Sequence, residues 1–175
     1  MSGLIELQTM SARIPGGTVC IVVDPVDGAV ISSGFADLDT VVGFLDARVR
    51  ERGFRAPRTS VALGPVKAAT SAYADGDLAA LDRVLVRQPG GPFLQRAWAE
   101  LRGVPAGQTQ SYAGLAALAG RPKAVRAAGQ ACARNRVAPY VPCHRILRSD
   151  GTLGGYAYGL PVKEALLRHE DVLLP

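Results

Sequence analysis

The chain is short of the residues that most often build a metal centre or a covalent scaffold. Its 175 residues include three cysteines (Cys20, Cys132 and Cys143) and two histidines (His144 and His169). An odd cysteine count with no CxxC pair argues against a disulfide framework and a cysteine-rich zinc site, and suits a reducing compartment. Two histidines are too few for an imidazole-based site, so neither a metal nor a cofactor is expected. Long apolar runs are missing too, and without a stretch of about 18 apolar residues no membrane-spanning helix is expected. The opening residues, MSGLIELQTMSARIPGG, lack a basic segment followed by an apolar one, so no secretory signal is expected and a cytoplasmic location is. Apolar residues nevertheless make up 48% of the chain, enough for a packed core.

Acidic residues are absent from a long stretch of the second half. Between Glu100 and Asp150 there is none, whereas Arg102, Arg121, Lys123, Arg126, Arg134, Arg136, Arg145 and Arg148 all fall there. Residues 1–89 carry 9 Lys/Arg against 10 Asp/Glu, and residues 90–175 carry 11 against 5. Such a basic stretch raises the potential over one face and favours a polyanion; a solubilising surface is the plainer alternative.

Two parts are expected, 1–89 and 90–175, divided at the linker RQPGGP (87–92). In the first, TVCIVVD (18–24) and GAVISSGFA (28–36) read as a hairpin across a Pro/Asp/Gly turn. Residues 38–53 read as one helix with Asp39 as a possible N-cap and Gly53 as its stop. A short helix near 66–74 and a strand or turn near 78–87 follow. The second part reads as mostly helical: 92–103 from Pro92 to Gly103, 111–120 capped by Ser111, and 121–135 starting at Pro122. The last two, joined by a tight connection, read as a helix-turn-helix, or more plainly as an ordinary helical hairpin. Residues 137–147 read as extended and proline-broken, 149–159 as a glycine-rich active-site loop and 160–170 as a final amphipathic helix. The expected fold is thus an α/β N-terminal domain, a hairpin-based sheet with helices, followed by a mostly α C-terminal domain.

Val141-Pro142-Cys143-His144-Arg145 is where reactive groups crowd together. A cysteine needs a cation, an imidazole or a helix terminus nearby to become a thiolate at neutral pH. Neighbours in an extended chain point apart, so a water between His144 and Cys143 is easier than direct contact. Glu170 could orient His144 if the last helix packs back. From these residues alone, a buried small Cys143 and a satisfied core His144 stay open as the alternative.

PCHRIL, with SYAGLA upstream and GGYAYGLPVKEALLRHE downstream, resembles the O6-alkylguanine-DNA alkyltransferase (methylated-DNA–protein-cysteine methyltransferase) family over about residues 90–172. Over residues 1–89 the likeness is one of length and element order. The resemblance implies single-turnover, irreversible transfer of an alkyl group, such as methyl, from guanine O6 in duplex DNA to Cys143 after nucleotide flipping, with no cofactor. It implies that Glu170 orients His144, which helps remove the thiol proton through a water, and that Asn135 is a hinge. The proline the family usually carries after that asparagine is Arg136 here. Tyr112 matches the tyrosine near the extruded nucleotide, and Arg126 the arginine finger that fills its place. Tyr156 matches the aromatic lining the guanine pocket, and Lys163 a structural lysine. The helix carrying Arg126, with the small residues Ala127, Ala128 and Gly129, would enter the minor groove without reading sequence. Apart from the resemblance, Arg134 and Arg136 are candidate phosphate contacts with a solvated surface as the alternative, and Arg145 is expected to touch the DNA. Tyr158, where many relatives have glycine, would narrow the pocket against large adducts, or cap the loop.

A monomer that could bind cooperatively along DNA is implied, with no membrane partner. Cys132 is expected to face the pocket as packing, Cys20 to lie in the core, and His169 to be solvated. The first alternative is a non-catalytic protein that binds alkylated DNA. A helix-turn-helix regulator with Cys143 as sensor and a cysteine hydrolase are further ones.

Overall fold

The chain opens with a strand that its composition hides. β1 (Leu7–Ile14) turns through Pro15 and Gly16 into β2 (Gly17–Asp24), and β2 pairs with β3 (Ala29–Gly34) as the expected hairpin. Gln8, Thr9, Ser11 and Arg13 interrupt the apolar pattern of β1, although Pro-Gly-Gly behind it is a turn signal. Gly16 and Gly17 take φ of +96° and +139° in that turn, a region that residues with a Cβ avoid. The structure, a computed structural model, describes residues 5–174; residues 1–4 and 175, the outer ends of the two expected domains, lie outside the described residues.

Residues 38–53 form two short helices where one was expected, α1 (Leu38–Gly43) and α2 (Ala47–Arg50). Two aspartates explain the break. Asp37, rather than Asp39, caps α1 by accepting from the Thr40 N–H at 2.8 Å, and Asp46 starts α2 by accepting from the Arg48 N–H at 2.9 Å. β4 (Phe54–Arg55) then pairs parallel to β1, giving the order β3–β2–β1–β4. Side chains alternate along β2, so the sheet is apolar on both faces. Val19, Ile21 and Val23 join the main core, while Val22 packs with Leu7, Ala29, Ile31 and Val41 on the other face, where Cys20 is partly buried.

α3 (Leu63–Ala74) covers the expected 66–74 and lays Leu63, Val66 and Tyr73 on the main core. A 3₁₀ turn at Ala80–Arg83 follows, and the Val30 N–H then donates to the Leu85 carbonyl at 2.8 Å. α4 (Pro92–Arg102) buries Ala97, Trp98 and Leu101, and the Trp98 indole N–H donates to the Ala131 carbonyl at 2.8 Å. Ser111 caps α5 (Tyr112–Leu118), accepting from the Gly114 N–H at 2.9 Å. α6 (Val125–Ala133) begins three residues after Pro122, because Arg121–Ala124 close a turn of their own through an Ala124-to-Arg121 bond of 2.8 Å. Two-residue strands β5 (Gln110–Ser111) and β6 (Ile146–Leu147) pair in parallel, and α7 (Leu160–His169) packs against the turn at Cys143–Arg145.

The result is a mixed sheet with helices. Its main core runs from Val19 and Tyr73 through Trp98 and Leu115 to Ile146 and Leu166, so both halves of the chain share it. β3 is stitched directly to the segment before Cys143: the Ser33 N–H donates to the Arg136 carbonyl at 2.8 Å and its hydroxyl to the Ala138 carbonyl at 2.8 Å. Leu101 is fully buried in this shared core. Leu101→Ala is expected to lower the unfolding free energy by about 2–5 kcal/mol in urea titrations. A loss under about 0.5 kcal/mol, the surface range, would contradict a shared core.

Candidate active site

Residues 137–147, expected to be extended and proline-broken, instead coil into a 3₁₀ turn over Cys143–Arg145. Asn135, at the end of α6, holds that turn. Its Nδ2 donates to the Val141 carbonyl at 2.7 Å and to Cys143 Sγ at 3.2 Å, and its Oδ1 accepts from the Val137 N–H at 3.1 Å. Gln88, a residue sequence reasoning missed, donates to the same Oδ1 at 3.1 Å and accepts from the Arg136 N–H at 2.8 Å. A proline at 136 would have no N–H to give, so the backbone bond to Gln88 does here what a fixed ring would do elsewhere.

The tight coil turns His144 and Arg145 inward together, onto Glu170 at the end of α7. Oε1 of Glu170 accepts from Tyr73 at 2.8 Å, His144 Nε2 at 2.9 Å and an Arg145 guanidinium nitrogen at 2.9 Å, and Oε2 accepts from Arg145 Nε at 2.9 Å. The carboxylate is 0% exposed. Burial alone would raise its pKa, but the His144 bond and the Arg145 guanidinium outweigh that and hold it down to about 2. Burial in turn lowers the pKa of His144 against the pull of Glu170, so the imidazole is neutral. With Nε2–H given to Glu170, the other nitrogen, Nδ1, is a proton acceptor, and it is buried with no partner among the described residues.

Cys143 borders a cavity of about 330 Å³ lined by Tyr112, Gly129, Cys132, Asn135, Tyr156 and Tyr158. Burial pushes its thiol pKa up, opposed by the Asn135 N–H and the Lys163 ammonium. The group at rest is therefore a thiol that needs a base. The Tyr156 hydroxyl is buried in the same wall without a partner among the described residues, a polar atom open to a ligand. Lys163 is spent on the backbone, donating to the Ile146 carbonyl at 2.6 Å, to Leu153 and to the Gly155 carbonyl at 3.3 Å. Among the described residues no group of three or more His, Cys, Asp or Glu side chains could hold a metal ion.

The remaining expected site residues divide by exposure. Arg126 projects from the first turn of α6 and is exposed, as is Arg134, while Ala127 and Gly129 are half-buried. A Cβ on Gly129 would meet open space, so packing within the chain does not demand glycine there. The Arg136 guanidinium lies 4.4 Å over the Phe44 ring. Arg145 is a correction. It is 1% exposed, its N–H groups taken by Glu170 and by the Val104 carbonyl at 2.6 Å, so it holds the turn and does not face a ligand. His169 is another, since its Nε2 lies 2.6 Å from the Tyr73 carbonyl and its ring packs edge-on to Tyr73. Tyr73 itself was missed, lying in another half of the chain with no local motif around it.

Residues 92–172 match the family described as "6-O-methylguanine DNA methyltransferase, DNA binding domain". A methylated-DNA–protein-cysteine methyltransferase of Shigella flexneri is 39% identical over 137 residues, covering 78% of this chain and 79% of the relative. Its Salmonella typhimurium namesake is 47% identical over 102 residues, 58% of this chain; the match spans only 60% of that relative's length. Among solved structures, that of Mycobacterium tuberculosis OGT in complex with DNA superposes with a TM-score of 0.75 at 26% identity, covering 95% of this chain and 93% of the other.

The site sets a pH dependence. A histidine held neutral by burial lets the unfolded chain take up a proton first, so stability falls as pH drops below the ordinary value of 6.5. Glu170, depressed to about 2 from 4.5, adds stability that is present above 4.5 and is lost as pH falls towards 2. Thermal unfolding between pH 7 and 5 is expected to show a falling midpoint in the wild type and a flatter one in His144→Gln. A wild-type midpoint unchanged over that range would mean that His144 is not buried neutral.

Proposed function

Because the chain belongs to the methylated-DNA–protein-cysteine methyltransferase family, we propose that it repairs DNA by moving an alkyl group from guanine O6 to Cys143. One observation carries the reading: a buried thiol on a cavity wall, followed in the same turn by a neutral imidazole whose free nitrogen can accept a proton. His144 Nδ1 takes the thiol proton through a water, while Glu170 holds the ring and stabilises the imidazolium that forms. The thiolate then attacks the alkyl carbon in line. A C–S bond forms, the C–O6 bond breaks with its electron pair leaving on guanine, and the purine takes up the proton that left the thiol, returned from the imidazolium through water. The product at Cys143 is a thioether, a bond that resists hydrolysis, so each molecule acts once.

Guanine O6 lies in the paired edge of the duplex, so the nucleotide must first leave the stack. We read α5 and α6 as a helix-turn-helix that lies in the minor groove. The half-buried Ala127 and Gly129 let α6 approach closely, and the exposed Arg126 enters the vacated stack. Tyr112, Tyr156 and Tyr158 wall the extruded base, with Tyr158 limiting the adduct. Arg134 and the Arg136 side chain supply phosphate contacts without sequence preference. We keep residue 90 as the division between a framework part and the DNA-binding, alkyl-accepting part, and place the protein in the cytoplasm as a monomer acting on duplex DNA.

The test is intact and peptide mass spectrometry after incubation with duplex DNA holding one O6-methylguanine. One methyl group per molecule, confined to the Cys143 peptide, is expected, and Cys143→Ala should bind the DNA without gaining mass. Binding by the wild type without mass gain would favour a non-catalytic lesion binder. Arg126→Ala is expected to slow transfer from duplex DNA by about 10-fold or more, since unstacking is worth a few kcal/mol, yet leave transfer from free O6-benzylguanine nearly unchanged. Equal slowing on both substrates would rule out the stack-filling role.

A further inference from the structure

Tyr158 does not stand alone at the cavity. Its ring leans edge-on against Phe35 (centroids 5.8 Å apart, 63° between planes) and against Tyr156 (5.7 Å, 71°). Its hydroxyl end rests on the backbone of β3, where a long 3.5 Å hydrogen bond reaches the Ser33 carbonyl. Directly below lies Gly34, the last residue of β3, and it is buried. A Cβ built there would sit 2.1 Å from the Tyr158 hydroxyl oxygen and 2.5 Å from the ring carbon that bears it. Gly34 is not among the glycines with positive φ, so its backbone does not itself require glycine. The space above it is what does. The seat cannot yield easily, because Ser33 is tied to Arg136 and Ala138 by bonds of 2.8 Å.

We propose that Gly34 is a specificity-determining residue: it seats the Tyr158 ring on the N-terminal sheet and so sets the size of alkyl group that the Cys143 cavity accepts. The proposal rests on the alkyl-transfer reading and extends it to a strand about 110 residues away from the thiol in sequence, counting from Gly34 to Cys143. A methyl at position 34 lifts the ring off β3 and away from Phe35. The flanking Ala157 and Gly159 are exposed, so the displaced ring swings towards solvent and the cavity opens.

The experiment measures uptake by Cys143 from duplex DNA carrying O6-methylguanine or O6-benzylguanine, and compares the two rates. Gly34→Ala is expected to raise the benzyl-to-methyl ratio by about 3- to 10-fold, the scale of one lost aromatic contact. Tyr158→Gly should raise it likewise, and Gly34→Ala added to Tyr158→Gly should change nothing more, since the two residues act as one unit. An unchanged ratio in Gly34→Ala, or an equal change in the Tyr158→Gly background, overturns the proposal. If Gly34→Ala loses methyl uptake as well, its recovery on adding Tyr158→Gly supports the seat and continued loss overturns it. No uptake by the wild type overturns the alkyl-transfer reading, and the proposal with it, whereas uptake with an unaltered ratio overturns the proposal alone.

Discussion

Everything around Cys143 depends on one buried carboxylate. Glu170 stands at the C-terminal end of α7, where the helix carbonyls disfavour negative charge, and no solvent reaches it. Such a group would ordinarily stay neutral. It is ionised because Tyr73, His144 and Arg145 all donate to it, and Arg145 brings a full positive charge. These donors come from α3 and from the 3₁₀ turn, and Arg145 also donates to the Val104 carbonyl in the segment that follows α4. Removing Arg145 would leave the buried charge unpaired, which in comparable pairs costs about 3–5 kcal/mol, whereas removing Tyr73 or His144 would leave one of its hydrogen bonds unmade, about 1–3 kcal/mol. Charge neutrality at a single point thus fixes how three segments meet.

The reactivity of the site follows from that arrangement rather than from Cys143 itself. A buried thiol with a raised pKa is idle towards oxidants and stray electrophiles, which select exposed thiolates. It becomes a nucleophile only when its proton has somewhere to go. By occupying Nε2, Glu170 leaves Nδ1 as the free acceptor, and by staying ionised it lowers the energy of the imidazolium. In the proposed reaction the Asn135 amide, its nitrogen 3.2 Å from the sulfur, would stabilise the thiolate as it forms. Holding the ion pair therefore also selects the tautomer.

What was legible in the sequence is what local rules control. Pro92, the glycines at 103 and 120 and the Ser111 cap fall near helix ends, and the segment 141–145 stood out by its chemistry. Local rules failed where a side chain answers to a distant partner. Arg145 was expected to touch the DNA, yet its partner is Glu170, 25 residues on. Tyr73 and Gln88 carry no motif; they matter through Glu170 and Asn135, 97 and 47 residues away. β1 was hidden because a central strand can bury Gln8 and Thr9 where hydrogen bonds satisfy them, as Thr9 finds in the Arg55 carbonyl at 3.4 Å. Period-two patterns show only when the buried face is apolar.

The same reasoning explains how the first half of the chain can serve the site without contributing a reactive group. Its contacts with the site include the Tyr73 hydroxyl on Glu170, the Gln88 amide between Asn135 and Arg136, and the end of β3 beneath Tyr158 and beside residues 136–138. Each contact restrains a segment whose own backbone is irregular, and irregular backbone keeps a shape only when something outside it satisfies its polar groups. Arg136 illustrates the trade. Where a proline ring would restrict φ by covalent geometry, an ordinary residue leaves an N–H that must be satisfied, and Gln88 satisfies it at 2.8 Å. The hinge is then held by tertiary structure instead of by ring closure, which ties the placement of Cys143 to the folding of the sheet.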